Sequence, residues 1–108
     1  MSLKTGKKAE RIVVEYLSAN GYKILKKNFY SKFGEIDIVA KKDGVVSFFE
    51  VKFSQNYDPI YRITPAKMKK IIKTIEYYFL LNESDEKYRI DAALVTPAGI
   101  EIIENIGF

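Results

Sequence analysis

The sequence predicts an α/β fold, a mixed sheet flanked by helices with its elements in the order α-β-β-β-α-β-β. Three observations carry that expectation. Apolar residues recur at helical spacing in two stretches, one near the start and one from Thr64 onward. Elsewhere the pattern switches to the two-residue period of strands. Two turn signatures, Asp43-Gly44 and Thr96-Pro97-Ala98-Gly99, punctuate those strands. The chain has 108 residues, enough for one hydrophobic core and too few for two, so 1–108 reads as a single domain. Seven Phe and eight Tyr supply the bulk to fill that core.

The first helix starts at Thr5. Ala9, Ile12, Val13, Tyr16 and Leu17 form its apolar stripe, and Asn20-Gly21 stops it. Tyr22 to Tyr30 reads as a strand, with Tyr22, Ile24 and Leu25 apolar and Lys23, Lys26 and Lys27 solvated. In the next strand Ile36, Ile38 and Ala40 alternate with Glu35, Asp37 and Val39, so the two sets are expected on opposite faces. Asp43-Gly44 predicts a two-residue type I′ turn, after which Val45 to Phe53 returns with Val46, Phe48, Glu50 and Lys52 on one face. Residues 54–63 lack periodicity and read as a loop. Thr64 is suited to cap the second helix and Pro65 to its first position. Met68, Ile71, Ile72, Ile75, Tyr78 and Phe79 mark the buried stripe of that helix. Tyr88 to Val95 and Ile100 to Ile103 are the last two strands.

Composition narrows the chemistry. No cysteine and no histidine are present, which removes thiolate nucleophiles, disulfides, imidazole bases and the usual zinc ligands. Carboxylates, lysines, hydroxyls and hard metal ions remain. No apolar run approaches the ~20 residues that a membrane span needs, and charged residues fill the place of a signal-peptide core. The sequence reads as that of a cytoplasmic protein. The net charge of +4 is unevenly spread. Residues 1–73 carry 16 basic and 7 acidic residues, and residues 74–108 carry 2 and 7. This is the outline of a chain that meets a polyanion with one side.

The central hairpin places acids together. With Asp43 and Gly44 at the turn, Lys42 faces Val45, and continuing the register sets Asp37 opposite Glu50 and Glu35 opposite Lys52. Facing residues have Cβ atoms ~4.5–5.5 Å apart. Two carboxylates so close repel each other, and a hard cation between them turns repulsion into coordination. Lys52 lies two residues beyond Glu50 on the same face, at the edge of that site. In the first helix, Glu10 projects at the flank of the apolar stripe, while Arg11 and Glu15 point to the wet side. Glu10 is thus either a boundary residue reaching water or a third carboxylate of the same site. A solvated polar face is the plain alternative for the whole constellation.

Asp37, twelve intervening residues and then Glu50-Val51-Lys52 resemble the D-x(n)-E-x-K core of the PD-(D/E)XK nuclease superfamily. Over nearly its full length the chain resembles the YraN-like (UPF0102) family, small bacterial proteins related to Holliday junction resolvases. The matching segments are Gly6 to Glu10 with Tyr16-Leu17, Gly21-Tyr22 with Ile24-Leu25 and Asn28-Phe29, Gly34-Glu35-Ile36-Asp37, Phe49-Glu50-Val51-Lys52, Lys67, and Arg89-Ile90-Asp91. The resemblance implies a restriction-endonuclease-like fold in which Asp37, Glu50 and the carbonyl of Val51 hold Mg²⁺ or Mn²⁺. It further implies that Lys52 orients or deprotonates the attacking water and that Glu10 is the acid carried by the helix. Two departures stand out: Ile36 precedes the aspartate where the superfamily has proline, and Phe53-Ser54 stands where relatives often carry Thr-Arg.

Lys67, Lys70 and Lys73, with Lys69, fall in the first turns of the second helix, and Arg62 precedes it beside Tyr57 and Tyr61. These residues are candidates for nucleic-acid contact, with a solubilising surface as the simpler account. The leading expectation is a Mg²⁺- or Mn²⁺-dependent endonuclease acting on DNA, branched DNA included. A non-catalytic nucleic-acid-binding module of the same fold is the alternative, and a partner-binding protein with an incidental acid cluster is a third. Expected partners are nucleic acid, DNA foremost, and a second copy of the chain as a homodimer, with no membrane.

Overall fold

The computed structural model describes residues 3–55 and 63–107. Helix α1 (Leu3–Ala19) is followed by strands β1 (Lys23–Ser31), β2 (Gly34–Lys42) and β3 (Val45–Phe53). Helix α2 (Pro65–Leu81) and strands β4 (Tyr88–Thr96) and β5 (Gly99–Ile103) complete the chain, in the expected order. The strands form one sheet ordered β1-β2-β3-β4-β5. All neighbours are antiparallel except β3 and β4, which run parallel because α2 crosses over between them.

Each helix covers one face. Ala9, Val13 and Leu17 of α1 pack on Ile38, Ala40, Phe49, Ala93 and Val95. Ile71, Ile75 and Tyr78 of α2 pack on Phe29, Ile36, Val39, Val46, Phe48 and Ile90, where Phe48 meets Tyr78, Phe79 and Tyr88 edge to face. Tyr16, counted in the apolar stripe of α1, is 40% exposed. Thr64 caps α2 as expected, its side chain accepting the N–H of Lys67 at 3.1 Å. The turn at Asp43 (φ 52°) and Gly44 (φ 78°) has both residues left-handed, as a type I′ turn requires. The register it sets is observed from Lys42↔Val45 to Ile38↔Phe49.

One expectation about β2 is corrected. Ile36, Ile38 and Ala40 do not share a face: Ile36 joins the core under α2, whereas Ile38 and Ala40 join the core under α1. The strand changes face at Asp37. Opposite it on β1 lies Asn28, held at φ 52°, between the pairs Lys27↔Ile38 and Phe29↔Ile36. A left-handed residue cannot continue the pleat, and the side-chain alternation slips there by one. Asn tolerates that conformation better than most residues with a Cβ.

At the other end of the sheet the wholly buried Asp91 accepts Arg89 Nε at 2.9 Å and the N–H of Asn105 at 2.9 Å. Arg89 also bonds the Tyr22 hydroxyl at 3.2 Å and pairs with Glu104 at 3.0 Å. Asp91 is thereby spent on fastening the segment after β5, and it serves the fold. Among the described residues no helix is long and apolar enough to cross a membrane.

Candidate active site

The slip at Asp37 builds the site. Its carboxylate takes the N–H of Val51 at 2.8 Å. In the continued register Val51 faces Ile36, two pairs beyond Ile38↔Phe49, and its N–H meets a side chain where a backbone carbonyl would otherwise accept. The N–H and C=O of a strand residue point to the same edge, which directs the Val51 carbonyl toward Asp37 as well. Half-buried Glu10 reaches the same place from α1, and exposed Glu35 reaches it from two residues up the strand. Carboxylate oxygens of Glu10, Glu35 and Asp37 all lie within 4.8 Å of one another.

Asn28 ties this group together. Its side-chain amide donates to Glu10 Oε1 at 2.8 Å and to Glu35 Oε1 at 3.0 Å, and Lys7 Nζ donates to its Oδ1 at 3.4 Å. The residue whose backbone breaks the strand therefore also spaces two of the acids. Beside them a cavity of about 170 Å³ is lined by Lys7, Glu10, Arg11, Lys27, Asn28 and Asp37 among others. Burial pushes the Asp37 carboxyl up to about 7. The Val51 N–H opposes that rise, and the negative charges of Glu10, Glu35 and Glu50 add to it.

Glu50 has a different setting from its expected place opposite Asp37 in a shared ion site. It lies on the α2 side of β3, where its carboxylate is ion-paired with Lys67 and stands 3.8 Å from Lys52 Nζ. Its charge still acts on Asp37. Glu35, expected opposite Lys52, instead turns to Asn28 and the acid cluster. Of the lysines named from the sequence, Lys67 meets Glu50, Lys73 lies 5.2 Å from the Phe33 ring centre, and Lys70 is exposed one turn before Lys73. Arg62, Tyr57 and Tyr61 lie outside the described residues.

Two members of the site, Glu35 and Asn28, were not singled out as site residues by sequence reasoning. For Glu35 a signal existed, since residues two apart on a strand share a face, and Glu35 stands two before Asp37. For Asn28 the periodicity held none, since a left-handed residue in mid-strand has no pattern of its own, although Asn28-Phe29 is among the segments that carry the family resemblance.

The donor set suits a hard cation. Ligands ~2.1 Å from Mg²⁺ in an octahedron are about 3–4 Å apart. Three carboxylate oxygens already within 4.8 Å need only small side-chain shifts to close on one ion. Fold and site together define an α/β protein with a mixed five-stranded sheet and an oxygen-rich pocket where strand pairing opens.

The chain belongs to the uncharacterised protein family UPF0102, the YraN-like family, whose model matches residues 9–95. A UPF0102 protein of Helicobacter pylori (strain Shi470) is 50% identical over 103 residues, covering 95% of this chain and 90% of that one. UPF0102 proteins of Campylobacter lari (strain RM2100) and Campylobacter fetus subsp. fetus (strain 82-40) are 49% and 48% identical over 104 residues, covering 95% of this chain and 93% of theirs.

Proposed function

We propose that this protein is a Mg²⁺- or Mn²⁺-dependent phosphodiesterase that cleaves nucleic acid, with DNA as the first substrate to test. The convergence of Glu10, Glu35 and Asp37 beside a cavity edged by Lys7, Arg11 and Lys27 is the observation that carries this reading. Asp37, Glu10 and Glu35 would hold the ion, with the Val51 carbonyl turned to the same edge. When bound, such an ion supplies a hard Lewis acid that activates water and neutralises charge on a phosphate. Asp37 is the pivot, because its carboxylate is already oriented by a backbone N–H and needs little rearrangement. Asn28 keeps Glu10 and Glu35 spaced and facing inward. Lys52, exposed on β3, can orient an attacking water or meet phosphate charge. Lys67 shields Glu50 until a phosphate competes for its ammonium.

A non-catalytic nucleic-acid-binding module is the second reading. It is favoured by the Glu50–Lys67 ion pair, in which a lysine already neutralises an acid that the nuclease pattern would give to a metal. Cleavage separates the two. Incubation of labelled branched, flapped and linear DNA with the purified protein should give products in Mn²⁺ and none in excess chelator. Asp37→Asn should reduce the rate by two or more orders of magnitude, and Glu50→Gln and Lys52→Ala should also lose activity. Undiminished cutting in chelator or by Asp37→Asn would refute the metal-dependent reading. Binding without cutting under every condition would leave the binding module.

A further inference from the structure

The two residues between β1 and β2, Lys32 and Phe33, form a hairpin tip that the structure fastens to α2. Ser31 Oγ accepts the N–H groups of Phe33 at 3.0 Å and Gly34 at 3.2 Å. The same hydroxyl lies 2.9 Å from Thr74 Oγ1, which in turn donates to the carbonyl of Lys70 at 2.9 Å. Thr74 is wholly buried, so this chain of hydrogen bonds anchors the tip on the core side of α2. Gly34 lies against the same helix, its Cα side facing Thr74 Oγ1 and Lys70 Cβ at ordinary packing distance. The result is a partly buried phenyl ring with Lys32 Nζ 5.3 Å and Lys73 Nζ 5.2 Å from its centre, and with Lys70 a turn away on the same helix.

A hydrophobic ring is unusual at a hairpin tip, where polar residues suffice for a turn. A ring held rigid among ammonium groups has the composition of a platform for nucleic-acid bases, which combines a π-face for stacking with cations for the backbone. We propose that Phe33 is a stacking platform for an unpaired nucleobase, with Lys32 and Lys73 taking the flanking phosphates. An ammonium over a ring at the protein surface is held more weakly than a stacked base, so a base displaces it and releases it toward phosphate. Duplex bases are already stacked on one another, and the platform therefore selects substrates with an unpaired stretch. The inference rests on the nucleic-acid reading above and adds the substrate class.

The chain contains no tryptophan, which gives a direct test. In Phe33→Trp, excited selectively over tyrosine, a single-stranded oligo-dT should quench the emission saturably. Trp at Tyr30, a neighbouring exposed position, should show no saturable quenching. By anisotropy, Phe33→Ala and Phe33→Leu should each bind the single strand about tenfold more weakly, with duplex affinity changed less than twofold. Leucine preserves apolar packing and lacks a π-face, so a ring that only packs would tolerate Phe33→Leu. Normal single-strand binding by Phe33→Leu, or an unquenched Phe33→Trp that binds the oligonucleotide, would overturn the platform and leave the nucleic-acid reading intact. Wild-type protein that binds neither single strand nor duplex would overturn both.

Discussion

Asp37 is where the local conflict of this molecule is concentrated. Its carboxyl is burdened by burial and by the charges of Glu10, Glu35 and Glu50, and the single Val51 N–H compensates only in part. The folded-state value of about 7 lies above the ordinary 3.8, so between roughly pH 4 and 7 the folded protein holds a proton that the unfolded chain has released. This contribution to stability is complete below that window and is lost as pH rises through it. Asp37→Asn removes the titration, and its amide oxygen can still accept the Val51 N–H. Urea melts should therefore show wild type and variant alike near pH 4. At pH 8 the metal-free variant should be more stable by about 0.5–2 kcal/mol, as when a strained functional charge is relieved. Added Mn²⁺ should reverse the order, raising the melting temperature of wild type, whose folded state alone offers the cluster, and leaving Asp37→Asn unchanged. A destabilised variant at pH 8 together with a wild type indifferent to Mn²⁺ would mean that Asp37 serves the fold.

At the scale of elements, the β2–β3 hairpin and helix α2 were both legible in the sequence because each rests on local chemistry. Asp-Gly sets the turn and hence the register, and Thr64-Pro65 sets the helix start. Thr64→Ala should cost ~1 kcal/mol in denaturant melts through loss of the cap. That loss should also loosen the first turn, which carries Lys67 to Glu50. What was not legible was the face of each acid. The alternation reading put Asp37 on the side of Val39, Val46 and Phe48, whereas Glu10, from the helix on the other face, reaches it. The reason lies in a different strand: Asn28 of β1 takes a left-handed conformation, and its effect on β2 is a tertiary one that reading β2 alone does not reveal. Glu10 was found because its place on the helical wheel depends on α1 alone. The partnership of Lys67 with Glu50 joins residues 17 apart in sequence across the strand-to-helix crossover, which no periodicity encodes.

Over the whole molecule the charge asymmetry has a spatial counterpart. Lys7, Arg11 and Lys27 surround the acid pocket on the α1 side, while Lys32, Lys67, Lys70 and Lys73 line α2 and the hairpin tip beside it. Affinity for nucleic acid should accordingly fall steeply with salt, each phosphate contact adding ~0.9 to the log–log slope on duplex DNA. Changing Lys67, Lys70 and Lys73 together to Gln should lower that slope by up to about three and weaken binding to all sequences alike. A slope near zero in wild type would contradict a polyanion partner. The sheet topology bears on assembly as well. Every antiparallel pair joins strands adjacent in sequence, but the parallel β3–β4 pair forms only after α2 has closed the crossover. Contacts distant in sequence are slow to form, since the chain loses loop entropy before they repay it. The three-strand meander β1–β2–β3 is thus the part whose pairings need the least loop closure, and it already makes neighbours of Asn28, Glu35 and Asp37. Docking of β4 closes the longest connection, so the strand carrying Asp37 can be shaped before β3 gains its second neighbour.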